Sequence, residues 1–286
     1  MTGNATLRGR LALATCLLVV PALRTLGGQA GDDTARNGVR HDRGQLVAPV
    51  YEGWYRDGKD DLNLSFGYLN RNFQEELDIP AGPDNKIEPG PPDQGQPTHF
   101  GPRRQWGAFS VLVPRDLERR LIAEKKSVIW TIRANGQVAS VPANIGAAYA
   151  IDALREPTVG NEPPTLRFEA EGPSGAGPFG ARTTIKAVAG VPITIRVWVD
   201  DDKRALPQKR NAGVVLNWTR YRGAGAVRFS DATKSIVGNG IAVVTVTFAQ
   251  PGEYALRVEA IDTEIHDFQC CWSNGYVNAI VSAPGR

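Results

Sequence analysis

Near the end of the chain Cys270 and Cys271 sit side by side, four residues after His266 and close in sequence to Asp262, Glu264 and Asp267. Neighbouring thiols in an oxidising compartment can close a bond to each other. The ~3.8 Å between adjacent Cα atoms lies below the usual disulfide range of about 4.4–6.8 Å, so the ring would be tight. A structural vicinal disulfide is the leading expectation, and a redox switch is the second. With His266 the same sulfurs could hold a soft metal or serve a thiol- or metal-dependent enzyme. A second group is Asp200, Asp201 and Asp202. Joined by Asp262, Glu264 and Asp267, these carboxylates suit calcium, a hard cation that prefers six to eight oxygens. Side chains alternate along an extended chain, so at most two of the three consecutive aspartates can point the same way.

Other catalytic patterns are sparse. The three histidines are His41, His99 and His266, and none lies beside a nucleophile elbow or within a metal-hydrolase spacing. No phosphate-cradling or dinucleotide glycine pattern occurs. His99, His266 and Trp272 are the candidate binding-surface residues, with Trp272 expected to pack over the cysteine pair. Trp54, Tyr55, Trp106, Trp198 and Tyr221 are candidates to stack on sugar rings. Asn63-Leu64-Ser65 and Asn217-Trp218-Thr219 match the glycosylation sequon.

The first thirty residues read as a signal peptide. Arg8 and Arg10 precede an apolar run at 11–23, and Gly28-Gln29-Ala30 supplies small residues for cleavage. The run is shorter than the roughly 20 residues that span a bilayer, so no stable membrane insertion is expected after cleavage. Residues 1–30 hold three arginines and no acid. Of the 33 basic residues, thirty therefore remain against 30 acidic ones. The mature chain is near neutral, and its basic pairs are interleaved with acids, which argues against nucleic acid as a partner. The expected location is secreted or periplasmic.

Positioning these residues falls to β-strands. Leu62, Leu64, Phe66 and Tyr68 alternate with other types, as do Phe109, Val111 and Val113, and Val128, Trp130 and Ile132. Asn135-Gly136 is a hairpin turn signal, and 116–126 could form a short surface helix. Residues 79–104 carry seven prolines, which exclude a continuous strand or helix there. Further on, Val191 to Val199, Val214 to Trp218, and Ala242 to Phe248 alternate again. After Pro251-Gly252 the alternation resumes at Tyr254, Leu256, Val258 and Ala260, with Arg257 and Glu259 on the other face. The pattern predicts an all-β chain of two tandem β-sandwich domains, at 46–154 and 164–283. A signal peptide (1–30), a disordered leader (31–45) and a linker (155–163) complete the organisation.

The phrases FGYLNRN, PAGPDNKIEPG and DQGQPTHF resemble an uncharacterised β-sandwich module of secreted bacterial proteins, over residues 49–135. AGVPITIRVWVDDD and FAQPGEYALRVEAID resemble PKD-type and related immunoglobulin-like modules, over 164–283. In that topology the loops at 200–213 and 262–275 lie at one end of the sandwich, which would gather the aspartates, His266 and the cysteines. The resemblance also implies a tyrosine corner at Tyr254. The expectation for function is a non-catalytic binding or scaffolding protein with a protein or glycan partner. Its contact surfaces would be that loop end and the Pro/Gly-rich loop of the first domain. The alternatives are an enzyme centred on His266, Cys270 and Cys271, and a carbohydrate-binding module.

Overall fold

The computed structural model describes residues 40–202, 213–223, 225–236, 240–262 and 270–285. The expected signal peptide, most of the leader, and Glu264, His266 and Asp267 lie outside the described residues.

The chain folds as the alternation predicts. Its first sandwich comprises β1 (Val47–Arg56), β2 (Leu62–Asn70), β3 (Leu77–Asp78), β4 (Asn85–Glu88), β5 (His99–Phe100) and β6 (Arg103–Val113). The helix α1 (Arg115–Glu124), β7 (Val128–Ala134) and β8 (Gln137–Ala143) complete it. One sheet runs β1-β2-β6, the other β4-β7-β8, and β3 pairs with β5. The inward residues of β2, β6 and β7 meet between the sheets. Phe109 lies edge-on to Trp130 with ring centroids 4.9 Å apart, and Phe66 stacks on Phe109 at 5.5 Å. Asn135 and Gly136 both adopt positive φ (50° and 71°), as a two-residue hairpin turn between β7 and β8 requires. Residues 40–45, expected in the leader, are tied to the 72–75 loop. Gln45 N–H donates to Asn72 Oδ1 at 2.7 Å and Phe73 N–H to the His41 carbonyl at 3.0 Å.

Before β6 begins at Arg103, the proline-rich stretch holds the short strands β4 and β5, and buried amides organise it. Asn85 Nδ2 donates to the carbonyls of Ile79 (3.0 Å) and Pro97 (2.7 Å), and its Oδ1 accepts from Trp130 Nε1 at 3.0 Å. Gln96 Nε2 donates to the Asn85 and Pro92 carbonyls. Side-chain amides thus do the pairing that prolines forbid to the backbone.

The second sandwich contains β9 (Thr165–Arg167), β10 (Ser174–Gly175), β11 (Ala181–Val188), β12 (Ile193–Asp200), β13 (Val214–Arg222) and β14 (Val227–Phe229). It ends with β15 (Thr233–Ile236), β16 (Gly240–Phe248), β17 (Gly252–Asp262) and β18 (Trp272–Ser282). The sheets are β10-β9-β12-β16-β14 and β11-β18-β17-β13-β15, with β11 parallel to β18. This is an immunoglobulin-like arrangement. Its core gathers Leu166, Val197, Leu216, Phe248, Leu256 and Val277. Tyr254 is buried and its hydroxyl donates to the Gln250 carbonyl at 2.9 Å, forming the corner the sequence implied.

The outward faces of β2, β17 and β18 are not solvent-facing. Asn63, Ser65, Arg257, Glu259 and Asn274 are all buried. Tyr276 and Tyr221, from the second sandwich, belong to the hydrophobic core of the first. The two sandwiches therefore share packing across a polar and aromatic junction. The segment between them joins in, because Ile151 and Ala153 pack with Tyr55 and Trp272 in a third small core.

Candidate functional site

The structure gathers part of the expected loop end. The carboxylate of Asp200, which ends β12, pairs with Arg167 at 2.8 Å. Asp202 accepts from the Glu162 N–H at 3.2 Å. Asp262 is buried and accepts from Asn161 Nδ2 at 2.6 Å, while its own N–H donates to the Cys271 carbonyl at 3.1 Å. Asp201 is half-buried beside them in sequence. Among the described residues, no three His, Cys, Asp or Glu side chains stand together where they could hold a metal ion. The remaining calcium candidates, Glu264 and Asp267, lie outside the described residues, as does His266.

Cys270 and Cys271 are bonded to each other, with an S–S distance of 2.08 Å, and both are buried. Trp272 is only 3 % exposed and packs into the third core, so it offers no open binding surface. The reason is the outer face of β18, on which it stands, because the first sandwich covers that face. The same covering buries Tyr55 and Tyr221, two of the residues expected to stack on sugars. Trp54 donates from Nε1 to the Gly146 carbonyl at 2.9 Å, and Trp198 is half-buried on the opposite sheet. Trp106 is 41 % exposed, yet the Arg104 guanidinium lies 3.8 Å over its ring. The sequon residue Asn63 is buried, which removes it as a glycan acceptor.

His99 is 6 % exposed in a recess between the sandwiches. Its Nδ1 lies 2.6 Å from Arg220 Nη2 and 3.0 Å from Asp78 Oδ1, and its Nε2 lies 3.5 Å from Glu76. Burial, then the Arg220 charge, hold its pKa below the ordinary value, against Asp78 and Glu76. Arg220 can only donate to Nδ1 and the Asp78 carboxylate can only accept from it, so the two contacts ask opposite tautomers of the neutral ring.

Arg257 and Glu52 organise the centre of the junction. Arg257, 2 % exposed, donates to the carbonyls of Trp106 (3.0 Å) and Gly107 (3.1 Å). It also donates to Asn274 Oδ1 and pairs with Glu259 at 2.8 Å. Burial opposes its charge, but Glu259, Tyr276 and Tyr221 together more than offset this, so its pKa is raised. Opposite it, Glu52 accepts from Gly107 N–H at 2.7 Å and pairs with Arg104 at 2.6 Å. Burial pushes the Glu52 carboxyl up against the pull of Arg104 and that N–H. Gly107 has φ 46°, and a Cβ there would overlap the Trp272 indole. Two further contacts brace the junction. Tyr276 donates to the Ala108 carbonyl at 3.1 Å, and Arg222 grips Asp93 through two 2.8 Å contacts.

Beside this locked centre the sheets part and leave a cleft of about 570 Å³. The Pro/Gly loop at 89–95, β6 and the start of α1 form one side. Arg182, Tyr221, Tyr276 and Asn278 form the other. Sequence reasoning pointed to the Pro/Gly loop but passed over Arg182, Arg257, Asn274 and Tyr276. A signal existed in the outward aromatics Trp272 and Tyr276, which sit on a strand face that should otherwise be polar.

Fold and junction together define an all-β protein of two tandem β-sandwiches, the second immunoglobulin-like. No protein-family model matches the chain, and no curated protein matches it. Among solved structures it is similar to the ASH/PapD-like domain 7 of human CEP192, at 11% identity and TM-score 0.29, over 50% of this chain and 99% of that one. It is similar to the D0–D1 domain of intimin at 13% identity and TM-score 0.25, over 82% and 98%. A third is the Yersinia pseudotuberculosis adhesin InvE, at 11% identity and TM-score 0.25, where 82% of this chain spans 58% of the adhesin. Among the described residues, no helix is long and apolar enough to cross a membrane.

Proposed function

We propose that this chain is an extracytoplasmic, non-catalytic binding protein whose recognition surface is the cleft at the junction of its two sandwiches. The observation that carries this reading is the cleft itself, about 570 Å³ in volume, with walls drawn from both sandwiches. Ligand sites favour such concavities between domains and fall in the range of about 300–1,000 Å³. The Arg257 and Arg222 contacts hold the walls in place, so the site is pre-formed, which lowers the ordering cost of binding. The extracytoplasmic location rests on the signal-like pattern of residues 1–30. The strand phrases at 189–202 and 248–262 support a PKD-like type for the second sandwich. An enzyme centred on His266, Cys270 and Cys271 has less support, because both sulfurs are buried and bonded to each other.

A fragment screen by protein-observed NMR on residues 31–286 tests the reading. Hits should cluster in the cleft, perturb Tyr276 and Asn278, and disappear in Leu112→Trp, which fills the cleft from an exposed position. Hits that instead perturb 200–202 and 270–272 would move recognition to the loop end.

A further inference from the structure

We infer that the cleft takes a small amphipathic monocarboxylate, with the carboxylate held by Arg182 and Asn278 and the apolar body against the first sandwich. This rests on the reading of the cleft as the ligand surface and adds the chemistry of the ligand. The cleft holds three guanidinium groups and two carboxylates. Arg222 is committed to Asp93, and Arg120 pairs with Asp116 at 3.4 Å. Arg182 has no carboxylate partner among the described residues. Its guanidinium carbon lies over the Tyr276 ring, 4.5 Å from the centroid, and the residue is exposed.

Strand register places a second donor beside it. Arg182 on β11 is the cross-strand partner of Tyr276 on β18, and Asn278 follows Tyr276 by two residues on the same face. Asn278 is exposed, and its amide has no hydrogen-bond partner among the described residues. The Tyr276 and Tyr221 hydroxyls are already spent on the carbonyls of Ala108 and Gly95, so these rings serve as an apolar floor. Across the cleft Leu112 is 49 % exposed, flanked by Pro91 and Leu117. An apolar surface facing one unneutralised arginine fits a molecule with an apolar body and one negative charge.

Charge decides the class further. The planar guanidinium fork matches a carboxylate in geometry. With Asp93 and Asp116 paired to Arg222 and Arg120, the cleft keeps one positive charge at Arg182, which a monoanion balances and a dianion leaves in excess. The chemistry could come from a free alkyl carboxylate or from a short acylated peptide.

Calorimetric titration of the mature chain separates these cases. The probes are octanoate below its micelle concentration, N-acetyl-leucyl-leucine, the neutral amide of each, and inorganic phosphate. At least one carboxylate should bind about tenfold or more tightly than its amide, and phosphate should bind weakly; the stronger carboxylate identifies the source. Arg182→Gln, at an exposed position, should abolish the preference for carboxylate while leaving the melting temperature and weak amide binding in place. Leu112→Trp should weaken carboxylate and amide alike. Equal binding of carboxylate and amide, or an unchanged preference in Arg182→Gln, overturns the anion assignment and leaves the cleft reading standing. Failure of both carboxylates at millimolar concentration overturns the ligand class. Fragment hits away from the cleft would overturn the cleft reading as well.

Discussion

The Arg257 guanidinium donates to the main-chain carbonyl of Gly107 at 3.1 Å, across the junction of the two sandwiches. Arg257 stands on β17 in a position whose phase points away from its own sandwich core. The contact makes the outer face of one sheet the inner face of a larger assembly. Because Glu259 and Asn274 also depend on Arg257, its loss strands several buried polar groups together.

Arg257→Met should therefore be strongly destabilising. Removing one partner of a buried ion pair costs about 3–5 kcal/mol, because the other charge stays buried without compensation. Paired replacement of Arg257 and Glu259 by methionine should cost less than the single change. Urea denaturation, followed by tryptophan fluorescence, reads both. A loss below about 1 kcal/mol in the single variant would mean that the junction is not held in this way.

Gly107→Ala should lower the melting temperature more than Gly136→Ala. Both glycines have positive φ, 46° and 71°, so both substitutions meet the left-handed penalty of about 1–2 kcal/mol. A Cβ at Gly136 enters open space, whereas one at Gly107 strikes the Trp272 indole. Equal shifts in the two thermal melts would refute the close approach.

His99 makes the junction sensitive to acid. Burial and Arg220 depress its pKa in the folded state, while the unfolded value is about 6.5. Between the two values the unfolded chain binds more protons, so stability falls as pH drops. It is fully present above about pH 6.5 and declines below that, through the folded-state pKa. Asp78, Glu76 and Arg220 face the ring, and only the carboxylates favour its protonation. Urea midpoints at pH 7.5, 6 and 5 should fall for the native chain and fall less for His99→Gln. Parallel pH profiles in the two proteins would assign the acid sensitivity elsewhere.

The cysteines should be unreactive in the native protein. Cys270 and Cys271 are bonded to each other and buried, so iodoacetamide has neither a free thiol nor access. Intact mass should be two hydrogens below that of the dithiol form, with no adduct before denaturation. Reductant plus denaturant should then admit two adducts. Alkylation of the untreated native chain would restore the thiol-based reading.

Both strand sets, the hairpin turn at Asn135-Gly136 and the helix after Pro114 were legible in the sequence. Each is decided by neighbours in the chain: alternation selects a strand and positive φ selects Asn-Gly. Tyr254 was legible for the same reason, since its hydroxyl reaches only four residues back to Gln250. The cysteine pair was legible because adjacency offers each sulfur the other as its nearest partner in the chain.

The junction was not legible, because alternation identifies two faces of a strand without saying what covers either. Arg257 and Glu259 occupy positions that would be solvated on an isolated sandwich, and Trp272 and Tyr276 resemble exposed surface by phase alone. Their burial follows from contacts 150 residues or more away in the chain, such as Arg257 with Gly107 and Tyr276 with Ala108. By itself, then, the sequence determined which segments become strands and which strand face enters each sandwich core, since those choices depend on local periodicity and turn chemistry. Only the tertiary structure decided that the opposite faces meet. That pairing depends on complementary donors, carbonyls and ring shapes brought together from distant parts of the chain, and it is this meeting of faces that creates the cleft.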